Sequence, residues 1–247
     1  MMQTSIQPET RPRLRAWGKT LADIIIGGLR VALTLPLSPL LRGWYNRWGA
    51  TDEEVARPLP GDDLVAHARH GYTRAITIHA PTRQVWPWLV QLGQQRGGWY
   101  SYDGLENLAG CNIHTTDRIV ASWQNPQPGD LLRLGPEGYP CMEVQRIEPE
   151  RAFILRGADL KTGQPIDRRQ PLPHNDAVTT WQFVLDAQDK QTTRLIVRQR
   201  LDYSPDQWLL WRIVEPINFV MEQKMLRTIK QRAESLVTFR DSLAADA

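Results

Sequence analysis

The densest group of side chains able to do chemistry lies between residues 100 and 114: Tyr100, Tyr102, Asp103, Glu106, Asn107 and His114. A carboxylate with histidine and tyrosine nearby can polarise and deprotonate a carbonyl compound. Tyr102, Glu106 and His114 are therefore the candidate catalytic residues. A plainer reading competes. Asp103-x-x-Glu106 has capping-box spacing, in which both acids serve a helix end, and the tyrosines can close a core or meet a head group. The chain holds no G-x-S-x-G, P-loop, Gly-rich dinucleotide turn, HExxH or CxxC. Nucleophilic catalysis, nucleotide binding and a metal centre thus have no motif behind them, and no cofactor is expected.

The elements that must carry these residues are readable from period and punctuation. A strand over Thr73–His79 runs into Pro81, which suits a first helical position, and a helix is predicted from there to Gly93. A second small helix spans Asp103–Gly110. Strands follow at Asp130–Leu134, Tyr139–Glu148, Ala152–Ala158, Val178–Asp186 and Thr193–Tyr203, separated by Pro, Gly and Asp turns. The polar stretch Asp159–Asp176, with three prolines, reads as a loop at a cavity mouth. Upstream, Thr51-Asp52-Glu53-Glu54 is a capping box. Ser204-Pro205-Asp206-Gln207 reads as another, opening a helix to about residue 238. That helix carries a stripe of Leu210, Val214, Ile217, Met221, Met225, Ile229 and Leu236, with Pro216 placed to bend it.

Parity in the last two strands sets the interior. Trp181, Phe183 and Leu185 share one face; Leu195, Val197, Gln199, Leu201 and Tyr203 share the facing one, and Arg194, Arg198 and Arg200 fall on the opposite side, expected to be solvated. Gln199 is an amide on an apolar face and must find a partner: the long helix, a water or a ligand. Glu215 acts as an acid if buried, and pairs with Arg212 if exposed.

The stretch Arg74–Gly110 resembles, in wording as well as element order, a bacterial group within the START-like superfamily of polyketide cyclases/dehydrases and lipid-transport proteins (SRPBCC). Further phrases that resemble it are Arg47–Val65, the run Glu106–Cys111, Thr116-Asp117-Arg118-Ile119, and Glu215–Glu234; together they cover roughly Trp48 to Leu236. The resemblance implies an α+β helix-grip fold, a curved antiparallel sheet wrapped around a long C-terminal helix. Residues 51–240 form that domain and residues 1–50 a helical extension. It also implies a cavity for a small hydrophobic molecule or lipid. The candidate lining is Trp88, Tyr100, Tyr102 and Asn107 before the sheet, Met142, Val144, Trp181, Phe183, Val197, Gln199 and Leu201 on it, and Ile217, Met221 and Met225 on the helix. Two alternatives stay open: a cyclase/dehydrase-like enzyme acting on an apolar carbonyl compound, and a protein-interaction module of the kind that assists chaperones.

Composition bounds the partners. The net charge of +3 divides into +5 over residues 1–48 and −2 over the rest, so an anionic surface suits the arm and nucleic acid does not suit the body. Two cysteines, Cys111 and Cys141, set no disulfide framework, and a cytoplasmic chain is expected. Within the arm, residues 24–41 carry a single charge, Arg30, interrupted by Gly27-Gly28, Pro36 and Pro39. Three arrangements are open for residues 11–48: packing on the domain, lying on a membrane, or spanning one.

Overall fold

The computed structural model describes residues 11–158 and 177–245, so the expected mouth loop Asp159–Asp176 lies outside the described residues. Helix α1 (Arg11–Tyr45) and short α2 (Asp52–Ala56) lead into β1 (His70–Ile78), α3 (Thr82–Val90) and α4 (Asp103–Leu108). Strands β2 (Leu131–Arg133), β3 (Cys141–Glu148), β4 (Ala152–Ala158), β5 (Ala177–Ala187) and β6 (Thr193–Tyr203) follow, and α5 (Trp208–Ala245) closes the chain. The six strands make one curved antiparallel sheet in the order β1-β6-β5-β4-β3-β2, with α5 across its inner face. This is the helix-grip arrangement.

The parity reading holds in the register: Trp181 opposes Gln199, Phe183 opposes Val197, and Leu185 opposes Leu195. Phe183, Leu185, Leu195 and Val197 meet Val144 and Leu155 from the sheet and Met225, Leu226 and Ile229 from α5 in one buried core, with half-buried Trp181 packed against it. Three expectations need correction. Ser204 does not cap α5; its hydroxyl lies 2.5 Å from Asp206, and a 3₁₀ turn (Pro205–Gln207) leads into the helix. Leu210 does not belong to the buried stripe, being 53% exposed, because α5 starts beyond the end of the sheet. Asp103 and Glu106 form no capping box: Asp103 instead receives the backbone N–H (2.8 Å) and hydroxyl (2.6 Å) of Thr115, a two-point partner brought back by the turn at Gly110.

Arg194, Arg198 and Arg200 lie on the outer face as expected, but that face is covered. The segment between α1 and β1 folds across it. Arg198 donates to Thr73, to Asp62 (2.7 Å) and to the carbonyls of Glu54, Val55 and Arg57; Arg194 holds Glu54, and Arg200 the carbonyls of Val65 and Ala66. A guanidinium carries five donors in a fixed fork, so each arginine can gather several acceptors from an irregular strand of chain. The Thr51 capping box forms as the spacing requires, starting that segment with a rigid turn.

Helix α1 lies along α5 and α4. By length and composition Thr20–Tyr45 is apolar enough to cross a membrane, yet two glycines fit it to the domain. A Cβ on Gly27 would stand 2.6 Å from Leu105, and one on Gly104 would stand 2.7 Å from Ile24. The helix backbones approach as closely as they do because neither position has a side chain. Gly27→Val should therefore cost about 1–3 kcal/mol through overpacking and free α1 for proteolytic cleavage ahead of the rest of the chain. Limited proteolysis read beside the thermal midpoint checks this; unchanged cleavage would mean that α1 is not seated on α4.

Candidate functional site

Strand β1 and helix α5 face each other with polar residues. His70, Tyr72 and Arg74 alternate onto the inner face of β1, and Glu215, Asn218 and Glu222 recur at helical spacing on α5. Arg74 is fully buried. Its guanidinium donates to Glu222 Oε2 (2.7 Å), Asn218 Oδ1 (3.1 Å) and the Tyr45 carbonyl (2.9 Å), and stacks 3.7 Å from the centroid of the Tyr72 ring. Tyr72 Oη and Trp181 Nε1 donate to the other Glu222 oxygen at 2.7 and 2.8 Å. Burial, then the adjacent Glu222, pushes the Tyr72 hydroxyl well above its usual pKa, so it stays a donor. The carboxylate therefore holds three donors, and the ion pair is anchored from four elements, β1, β5, α5 and α1.

A second cluster sits two helical turns nearer the start of α5. Glu215 is buried and accepts from Arg42 Nε (3.0 and 3.1 Å) and Asn46 Nδ2 (2.6 Å), both at the end of α1. Arg212, the partner expected for an exposed Glu215, is not used. His70 Nδ1 stands 3.1 Å from Arg42 Nη2, and its Nε2 3.6 Å from Glu215. Burial lowers the His70 pKa, with Glu215 opposing and Arg42 adding to the shift. The ring is thus neutral near pH 7, accepting at Nδ1.

Here sheet and helix part. His70, Tyr72, Gln199, Leu201, Trp211, Val214, Glu215 and Asn218 surround a narrow gap of about 10 Å³. Among the described residues the Gln199 side chain has no hydrogen-bond partner. Outside the gap, an open cleft of about 690 Å³ runs along the edge of β1, walled by Arg42, Arg47, Arg57, Arg69, Arg198 and Arg200. Gap and cleft share His70, Tyr72 and Gln199 as a common wall. Of the six cleft arginines, five pair with a carboxylate, while Arg200 meets carbonyls.

The sequence-derived candidates divide among several surroundings. Trp88, Tyr100, Met142, Val144, Phe183, Val197 and Met225 are buried in the main core, with half-buried Trp181 packed against them and stacked on Trp99 (5.4 Å). Tyr100 adopts a left-handed backbone (φ 54°) and accepts from Gln91 (2.7 Å); burial pushes its pKa up to about 12. Tyr102 and Met221 pack beneath α1 with Tyr45 and Phe219. Ile217 is half-buried, and Leu201 and Gln199 line the gap. Asn107 clamps the N–H and carbonyl of Ile113 (2.6 and 2.9 Å). His114 is exposed, and Glu106 lies near Asp103 and Asp23, under α1. Tyr102, Glu106 and His114 thus do not converge on a common point. Sequence reasoning missed His70, Tyr72, Arg74, Asn218 and Glu222. The signal was present as two polar series, period two on the strand and 3.6 on the helix.

No family model matches the chain, and no curated protein matches it. Solved structures similar to it include a hypothetical protein from Helicobacter pylori (10% identity, TM-score 0.43, covering 72% of this chain and 96% of that one). Ara h 8.0201 is similar at 13% identity and TM-score 0.40, over 67% of this chain and 98% of its own. A protein from Mesorhizobium loti is similar at 15% identity and TM-score 0.38, over 67% and 98% respectively.

Two outcomes follow from the buried charges. Arg74→Met leaves Glu222 without its cation and should cost about 3–5 kcal/mol in urea unfolding, whereas Arg74→Met with Glu222→Leu should recover much of that loss. Equal costs for single and double variants would mean the pair is not coupled. Burial, followed by Asp103 and Asp23, raises the Glu106 carboxyl to about 8 from 4.5. The native state therefore holds the extra proton between those values, and the stability this contributes falls as pH rises through that window. Glu106→Gln should flatten the thermal midpoint's fall between pH 5 and 8 and gain most over the parent near pH 8. A parallel pair of profiles would refute the shift.

Proposed function

We propose that this protein is a START-like binder of a small hydrophobic molecule, taken up between the sheet and α5 with its polar head turned to the arginine-lined cleft. The observation that carries the reading is the shared wall of His70, Tyr72 and Gln199, which joins the gap between sheet and helix to the polar, arginine-lined cleft. An amphiphile needs those two surroundings side by side: apolar walls for the body and a few convergent donors for the head. Leu201, Trp211 and Val214 supply apolar walls to the gap, and the unpaired Gln199 amide a donor at the boundary.

The gap of about 10 Å³ admits a water-sized group, and a ligand body needs several hundred Å³. Loading therefore requires the first turns of α5 to move outward. That segment is suited to do so. Pro216 lacks the N–H that would bond to the Arg212 carbonyl, and Trp208, Leu209, Leu210 and Ile213 ahead of it are exposed rather than packed. The Glu215 cluster is the latch that movement must break. Further along, Met225, Leu226, Ile229 and Ala233 remain buried and hold the helix in place.

The test is native mass spectrometry of gently purified protein, with uptake of an anilinonaphthalene sulfonate probe as a second measurement. Wild type should carry an apolar molecule or bind the probe, and Gln199→Trp, which fills the gap from a half-buried position, should lose at least tenfold in either with an unchanged circular dichroism spectrum. A wild-type chain that holds neither, or a variant that holds both as well as wild type, would overturn the reading.

A further inference from the structure

Helix α1 has two faces of opposite character. The face toward the domain carries Gly27, Ser38 and Tyr45, which are buried, and Arg42, which is bonded to Glu215. The face away from it is apolar for six turns: Leu21, Ile25, Ile26, Leu29, Leu33, Leu37, Leu40 and Trp44 are all exposed, Leu40 by 84%. Over that stretch, about 36 Å at 1.5 Å per residue, the only basic residue before Arg42 is Arg30, and its guanidinium leans across to Gln223 (3.4 Å). The start of α5 continues the surface with exposed Trp208, Leu209, Leu210 and Ile213, beside the end of α1 where Trp44 stands edge-on to Phe219 (5.4 Å).

Charge decides what covers this face. The cationic end is the amino-terminal one: Arg11, Arg13, Arg15 and Lys19 precede the apolar run and residues 1–48 carry a net +5, whereas Arg42 and Arg47 beyond its other end are paired with Glu215 and Asp52. A second copy laid parallel along the same face would set these cations against their equals, and one laid antiparallel would set them against residues 24–48, which contain no acid to receive them. A bilayer with anionic headgroups answers both features, taking the apolar stripe into its acyl boundary and the cations at its surface. Crossing the bilayer is a different matter. The inner face of α1 is fitted to α4 at Gly27 and Gly104 and bolted to Glu215 by Arg42 and Asn46, and a transverse helix would have to abandon all of these for lipid.

We infer that α1, with the first turns of α5, seats the folded protein flat on an anionic membrane surface, as an in-plane helix and not a span. The test uses the full chain with vesicles of phosphatidylcholine and phosphatidylglycerol at 3:1, against phosphatidylcholine alone, read by co-sedimentation. Wild type should bind the anionic vesicles at least tenfold more tightly than the neutral ones and lose most of that preference in 0.5 M salt. Leu29→Glu with Leu33→Glu, both at exposed positions, should reduce binding at least tenfold without changing the circular dichroism spectrum; Arg11→Gln, Arg15→Gln and Lys19→Gln together should abolish the anionic preference. Equal binding by the Leu29/Leu33 variant, or none by wild type, would overturn the inference. Resistance of the membrane-bound chain to alkaline carbonate would replace it with a span. A light-scattering dimer split by the same two glutamates, with no vesicle binding, would replace it with a contact between copies.

Discussion

The ion pair between Arg74 and Glu222 is the constraint on which the rest of the molecule is arranged. Charges of this kind are expensive to bury, and a pair persists only when its remaining donors and acceptors are met. Here all but Arg74 Nη2 are met, by four residues: Tyr72 and Trp181 on the sheet, Asn218 on α5, and the Tyr45 carbonyl at the end of α1, while the guanidinium lies over the Tyr72 ring. That geometry tolerates little movement. Sliding α5 by one residue along the sheet would turn Glu222 about 100° away from Arg74 and leave both charges unpaired in the interior. An apolar contact would accept such a slip at small cost. The pair therefore fixes the register of helix on sheet, and through Tyr45 it fixes where α1 must end.

From that anchor the long helix divides into two working halves. Toward its carboxyl end Met225, Leu226, Ile229 and Ala233 are sealed against the sheet. Toward its amino end the contacts turn polar and then run out, with Glu215 held by Arg42 and Asn46, and the residues from Trp208 to Leu210 beyond the sheet. A helix held firmly at one end and by a polar latch at the other opens at the latched end. Polar contacts exchange with water far more readily than a packed core does, since water can replace the lost bonds. The position of the gap and the side of the cleft both follow from this asymmetry.

Most of the fold was legible because it rests on periodicity. The strand register of β5 and β6 follows from alternation in Trp181–Leu185 and Leu195–Leu201, and the long helix from its 3.6 spacing. What sequence reading misjudged depends on contacts between distant segments. Arg194, Arg198 and Arg200 read as a solvated face because nothing local shows that residues 49–66 return to cover them. Asp103 read as a cap because the competing donor, Thr115, arrives only through a turn twelve residues later. The site was the least legible part. Its stripes of His70, Tyr72 and Arg74, and of Glu215, Asn218 and Glu222, are each regular, but a charge on an apolar stripe is assigned a partner only when both stripes are set face to face.

The arginine-to-lysine ratio of 25 to 5 gains a structural use from these contacts. Arg198 reaches five acceptors, and an ammonium has three donors. Arg74 similarly bridges a carboxylate, an amide oxygen and a carbonyl. Arg57, Arg74, Arg194 and Arg198 are thus tied up by internal oxygens, and the body carries a net −2. The sequence of the arm offers fewer acids: in residues 1–19 Arg11, Arg13, Arg15 and Lys19 are accompanied by one, Glu9. A sequence excess of cations acts at a distance of about one Debye length, 8 Å at physiological salt. The same residue type is thus used as mortar inside the domain and gives the amino-terminal stretch its net positive charge.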